Sequence, residues 1–189
     1  PSGSEFVVAL NASSTFSEPD VKIVPDDSSG NGVITWTSDT FDARGSIKLR
    51  PVSNFALSGT ETQVNTDANG NTQTSPKLGT VSSIGKSLIT WTDDRNGDND
   101  VYSRQIVGFT STGNPAEIKT GIDAGTDGQA SPSISLDTSG NGLVTWFDDR
   151  SGGSIYKVNI SNYNVLTGTS AFIDNSPTNI TPAISINTK

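Results

Sequence analysis

Three tryptophans, Trp36, Trp91 and Trp146, stand 55 residues apart, each inside the same local phrase: GVITWTSD, SLITWTDD and GLVTWFDD. A chain that repeats itself at this period is built from one supersecondary unit used several times, and any fold proposed for it must honour the period. The surrounding residues repeat as well. Upstream of each tryptophan lies a proline-led segment, EPDVKIVPDDSSGNG, SPKLGTVSSIGK or SPSISLDTSGNG. Downstream, past a polar loop, come SIKLR, DVYSR and SIYKV, and then a glycine-led segment, GTETQVNT, GNPAEIKT or GTSAFIDN.

Within a unit these four segments read as short strands. Ser133-Ile134-Ser135-Leu136 alternates polar and apolar residues, and DTSGNG supplies the Asn-Gly and Asp/Ser chemistry of a hairpin turn. Along the tryptophan strand, Ile34 and Trp36 share one face while Val33, Thr35 and Thr37 share the other, and Ile89/Trp91 and Val144/Trp146 repeat the pattern. Both faces carry β-branched or aromatic groups, as expected of a small sheet covered on two sides. No segment sustains a helical period. Four strands per unit in tandem predict an all-β, β-propeller-like fold of four-stranded blades. Solenoid coils are shorter per turn, and a β-sandwich does not require three aligned tryptophan phrases.

The single repeat domain, 1–189, is expected to comprise three full blades, 19–74, 75–130 and 131–180, with an orphan strand at each end. Residues 1–18 (Gly3, Glu5 and Val8 aligning with Gly59, Glu61 and Val64) read as the closing strand of an incomplete blade, and 181–189 as the first strand of a further one. Unfinished blades expose strand edges that invite pairing with another chain. The expected partner is therefore a second copy, added head to tail, or the remainder of a larger surface protein.

SPSISLDTSGNGLVTWFDDR, TWTDDRNGDNDVY and GTETQVNT together resemble the propeller repeats of large secreted bacterial and archaeal surface proteins. The resemblance covers nearly the whole chain. It implies the propeller fold and a secreted or cell-surface location. The incomplete blades and blade faces, in turn, lead to the expectation of a structural or adhesive module of a surface layer, filament or larger surface protein, with a glycan- or protein-binding propeller, calcium-stabilised or not, as the alternative and a glycosidase-like enzyme as a distant third. The first copy departs from the pattern: Ser38-Asp39-Thr40 stands where the others have Asp-Asp-Arg.

Composition narrows the chemistry. The chain has no His, Cys or Met, which removes Ser-His-Asp triads, disulfides and His/Cys zinc sites. With 12 basic and 20 acidic residues the net charge is -8, a surface that repels nucleic acid. No apolar run approaches a membrane span, and the opening PSGSEF is not a signal peptide, so a secreted form would be mature or excised. Catalysis is not expected, because the four Glu residues do not converge as a glycosidase pair and Arg44, Arg95 and Arg150 recur once per unit. Ser135, Asp137, Gly140, Thr145 and Trp146 resemble the Asp-box turn of sialidases, stretched by three residues.

Several residues are candidates for sites. Asp94, Asn96, Asp98 and Asp100 place oxygen donors at alternate positions around Gly97, the pattern of a single-loop calcium site, although no bidentate Glu closes it. The bland reading is a solvated turn, so the cofactor expectation is none, with calcium as the alternative. Asp94-Arg95 and Asp149-Arg150, beside Trp91 and Trp146, read as structural pairs in which a carboxylate meets turn amides and a guanidinium meets a carboxylate or an aromatic face. Tyr102 and Tyr156 recur and read as packing residues. Tyr163 and Phe109 are the candidates for surface contact with a glycan or protein. Asn11, Asn159 and Asn179 open N-x-[ST] glycosylation sequons.

Overall fold

The computed structural model describes residues 16–39, 45–66, 70–111, 116, 118–120, 127–165, 171–174, 182 and 184–185. Three antiparallel sheets follow one another along the chain. The first holds β1 (Phe16–Ile23), β2 (Gly32–Ser38), β3 (Ser46–Ser53), β4 (Ala56–Leu57) and β5 (Thr62–Gln63). The second holds β6 (Gln73–Leu78), β7 (Ser87–Asp93), β8 (Asp100–Ile106) and β9 (Ile118–Lys119). The third holds β10 (Gln129–Leu136), β11 (Gly142–Asp148), β12 (Ser154–Ser161), β13 (Asn164–Val165) and β14 (Ala171–Asp174). A single 3-10 turn, Arg150–Gly152, is the helical element among the described residues. The fold is all-β and β-propeller-like.

Each first strand contains the proline of its repeat, and each time the register of the ladder to the second strand shifts there, between Ser17 and Asp20, Thr74 and Lys77, and Ala130 and Ser133. Proline has no N–H to give to a ladder, and a bulge takes it out of the pairing. Ser75 and Ser131, just before Pro76 and Pro132, adopt φ of 55° and 54° to make that bulge. Pairing resumes on both sides, so the boundaries at 19, 75 and 131 fall inside strands. The terminal segments 1–15 and most of 181–189 lie outside the described residues.

Two apolar clusters lie between the sheets. One joins Val33, Ile47, Leu49 and Val64 of the first sheet and its flanks to Leu78, Ile89 and Trp91 of the second. The other joins Leu88 and Val101 of the second sheet to Ile134, Leu136, Val144 and Trp146 of the third. Neighbouring positions of β7 therefore serve opposite cores, and all seven of its residues are buried. Polar groups fasten the same seams. Asp20 Oδ2 accepts the Leu78 amide at 2.8 Å, and the Thr80 hydroxyl donates to the Leu136 carbonyl at 2.6 Å. The Gln129 amide donates to the Asn99 carbonyl at 2.6 Å.

A turn feature recurs in all three sheets. Phe55, Phe109 and Tyr163, with φ of 56°, 61° and 62°, bring their rings onto Gly30, Gly85 and Gly140 of the facing hairpin turn. Each also donates its amide to that glycine's carbonyl, at 3.2, 3.1 and 2.8 Å. Tyr163 is 3% exposed, and its hydroxyl donates to the Thr138 carbonyl at 2.8 Å. The expectation that Tyr163 is a surface-contact residue is corrected: it is the third copy of a turn clasp. Gly140 has φ of +78°, and a Cβ there would meet the Tyr163 ring at 2.2 Å. Gly140→Ala is expected to cost about 2–3 kcal/mol in urea unfolding through both backbone and clash, whereas Gly97→Ala, with open space around it, should cost about 1 kcal/mol from its backbone alone.

Candidate functional site

The repeated residues converge at the loop end of the second strand of each sheet. Trp91 and Asp93 are two residues apart on β7, hence on the same face, and the indole Nε1–H donates to Asp93 Oδ2 at 2.9 Å. The same carboxylate receives Arg95 through Nε at 2.9 Å, Nη2 at 2.5 Å and the backbone amide at 3.0 Å. The guanidinium then lies 4.3 Å from the centre of the Tyr102 ring, which stacks on Trp91 at 6.2 Å. In the third sheet Trp146 donates to Asp148 Oδ2 at 3.3 Å, Arg150 Nε to Asp148 Oδ1 at 2.6 Å, and Arg150 Nη2 to Asp148 Oδ2. Arg150 sits 4.0 Å over Tyr156, which stacks on Trp146. Asp93 and Asp148 are wholly buried. A buried carboxylate is tolerable only with its charge paired and its lone pairs filled, and here one indole and one fork-shaped guanidinium fill them.

The partner of the guanidinium is thus the aspartate two residues after tryptophan. Asp94 and Asp149, one residue further on, make other contacts. Asp94 Oδ1 accepts the Thr72 amide at 2.5 Å, while the Asp149 amide donates to the Gly128 carbonyl at 2.9 Å. The two-residue face rule applied to T-W-x-D singles out Asp93 and Asp148. Tyr102 and Tyr156 are packing residues, and burial pushes the Tyr102 phenol above its ordinary value.

The four loop residues read as calcium donors are spread through this network. Asn96 Nδ2 donates to Asp100 Oδ2 at 3.0 Å and to the Tyr102 hydroxyl at 2.9 Å. Asp100 is wholly buried and its Oδ1 lies 2.7 Å from the Lys119 ammonium, an ion pair. Asp98 keeps one buried oxygen without a hydrogen-bond partner. Among the described residues no group of three or more Asp, Glu, His or Cys side chains is placed to hold a metal ion. Of the sequon asparagines, Asn159 is half-buried within β12 and accepts from the Lys157 ammonium at 3.2 Å. Asn11, Asn179 and Arg44 lie outside the described residues.

Where hairpin turns of the three sheets approach, a cleft of about 230 Å³ is lined by Val24, Pro25, Val81, Ser82, Ser83 and Thr138. The turns are braced by Asp27, which accepts the Ser29 amide at 2.8 Å, and Asp137, which accepts the Asn141 amide at 2.8 Å. Those amides hold both carboxyls below their ordinary value of 3.8.

No protein-family model and no curated protein matches the sequence. Among solved structures, the fold is similar to an endo-arabinase from Bacteroides thetaiotaomicron, at 13% identity and a TM-score of 0.48, over 77% of this chain and 55% of that one. It is also similar to an α-L-arabinofuranosidase from Podospora anserina in complex with cellotriose, at 10% identity and a TM-score of 0.49, over 86% of this chain and 52% of that one. The chain spans about half the length of each. The expectation that this is not an enzyme is corrected: both of these structures are of enzymes.

Two predictions follow from the site's geometry. Trp91→Phe removes a buried hydrogen bond to a carboxylate, whereas the Trp36 Nε1 has no partner to lose. Trp91→Phe should therefore cost about 1–2 kcal/mol more than Trp36→Phe in chemical denaturation. The lowered Asp27 and Asp137 values mean that the folded state binds fewer protons than the unfolded chain in acid. Their contribution is complete well above pH 3.8 and is lost as pH falls through their depressed folded values. An Asp27→Asn, Asp137→Asn double variant should flatten that part of the thermal stability profile, falling below the parent near neutrality, where the carboxylates contribute fully, and converging with it in acid.

Proposed function

We propose that the chain is a structural module of a secreted or cell-surface protein, acting by stacking sheet on sheet with neighbouring copies of itself. The observation that supports this is the seam. The same kind of face-to-face contact joins the first sheet to the second and the second to the third. Leu88 and Thr92, on the face of β7 turned to the third sheet, are 2% and 5% exposed. Their counterparts on β11, Leu143 and Phe147, are only half-buried. A second copy presenting the complementary face would extend the seam head to tail, a heterologous contact that yields a ring or filament. The cassettes around Asp93 and Asp148 suit this role, because their charges are spent on rigidity within each sheet. No helix among the described residues is long and apolar enough to cross a membrane.

Light scattering over a concentration series is expected to give multiples of 19.7 kDa that grow with concentration. Added salt should strengthen them by screening repulsion between chains of charge -8. Leu143→Glu should return the mass to one copy while the unfolding midpoint stays within a few degrees. A mass of one copy throughout would overturn the reading.

The cleft at the hairpin turns favours a second reading, a glycan-binding module. An apolar floor of Val24, Pro25 and Val81 beside the hydroxyls of Ser82 and Ser83 suits a sugar ring better than a charged ligand. Retention of a specific oligosaccharide on a glycan array, lost at least tenfold in Ser83→Trp, would support it; a blank array would remove it.

A further inference from the structure

The two seams are built from equivalent positions, and those positions recur on the first and third sheets. At each seam the later sheet contributes a cross-strand pair from its first two strands, Leu78 with Ile89 and Ile134 with Val144. Cross-strand partners share a face, and all four side chains are buried in the seam clusters. The equivalent pair in the first sheet is Val21 with Ile34. Val21 is 52% exposed, against 1% for Leu78 and 8% for Ile134, and Ile34 is only half-buried.

The earlier sheet of each seam contributes the opposite face. Val33 and Ile47 serve the first seam, Leu88 and Val101 the second, and none is more than 2% exposed. Register puts Leu143 and Ile155 at these positions in the third sheet, where Phe147 pairs with Ile155 as Thr92 pairs with Val101. Both are half-buried. A match of size accompanies the faces. Leu136 of the third sheet lies so close to Gly79, beside the second, that a Cβ on the glycine would meet its Cδ1 at 2.4 Å. The residues equivalent to Leu136 and Gly79 are Ile23 in the first sheet and Ser135 in the third, again a branched side chain and a small one. Ile23 shares the face of Val21, and Ser135, paired with Leu143, shares the face of Leu143.

We propose that the Val21 face of the first sheet is the docking surface for the third sheet of a second copy. Val21 and Ile34 of one chain meet Leu143 and Ile155 of the other, and Ile23 settles over Ser135. The assignment rests on the self-stacking reading above and adds which two faces meet. Both existing seams join a face that bears a tryptophan, Trp91 or Trp146, to one that does not. Two like faces cannot reproduce that contact, so the pairing is directional and continues the order of the sheets within the chain.

The chain has no cysteine, so one introduced thiol reports on its own position. Full-length chains carrying Val21→Cys are mixed with chains carrying Leu143→Cys, and the mass of the mixture is followed by light scattering. A short bis-maleimide is then added and the products are separated on a denaturing gel. A covalent pair at twice 19.7 kDa is expected from the mixture, at least tenfold more abundant than from either variant alone. Multiples in light scattering without that mixed pair would overturn the assignment and leave the self-stacking reading standing. A pair formed as readily by Val21→Cys alone would also overturn it, because like faces would then be meeting. A single copy at every concentration, in the mixture and in the parent chain, would overturn both.

Discussion

The structure depends on one kind of buried charge. Asp93 and Asp148 sit wholly inside their sheets, and each has to be neutralised where it stands. The guanidinium two residues on does this through Nε and Nη2, a fork that matches the two carboxylate oxygens. The indole of the same strand takes a further lone pair, and the tyrosine of the next strand covers the guanidinium. Four side chains from two strands and a loop are thereby held in one geometry. Removing one partner strands a buried charge, a loss of about 3–5 kcal/mol in such settings, so the loop after each tryptophan strand cannot drift from its sheet.

The cassettes organise sheets; the seams join them. Each seam combines an apolar cluster with backbone-directed polar ties from the sheet next along. Ile47 gives its amide to Asn65 Oδ1 at 2.9 Å, and Asn65 in turn donates to Gln73 Oε1 at 3.0 Å. At the next seam Gln129 Oε1 accepts the Val101 amide directly, at 3.3 Å. One seam uses two amide side chains where the other uses one, yet both satisfy the same amide at the start of a third strand. Buried amides demand a partner, and this demand, more than the identity of any residue, sets where one sheet meets the next.

Much of the fold was legible because its determinants are periodic. The spacing of Trp36, Trp91 and Trp146 located the second strand of each sheet, and the alternation around them separated the faces that now lie in different cores. The proline-led first strands were also readable, although the bulges that let them begin before the proline depend on backbone conformation at Ser75 and Ser131. The site was harder to read. Asp93 and Asp94 are chemically identical, and only their faces, one inward and one toward Thr72, tell them apart. Tyr163 shares no letter with its counterparts Phe55 and Phe109; the common property is a positive φ over a facing glycine, which no letter encodes. The alternate acidic residues of DRNGDND resemble a cation loop in one dimension, while in three dimensions Asp100 turns inward to Lys119 and Asn96 joins it to Tyr102.

The central claim is that two of the three tryptophans are anchored to buried carboxylates and the first is not. The most direct measurement is the set of indole Nε1–H signals in a ¹⁵N–¹H correlation spectrum, assigned by single Trp→Phe variants. The account predicts that Trp91 and Trp146 resonate downfield, as donors to a charged acceptor, and that Trp36 stands apart from both. Three indole signals with the same shift would contradict it.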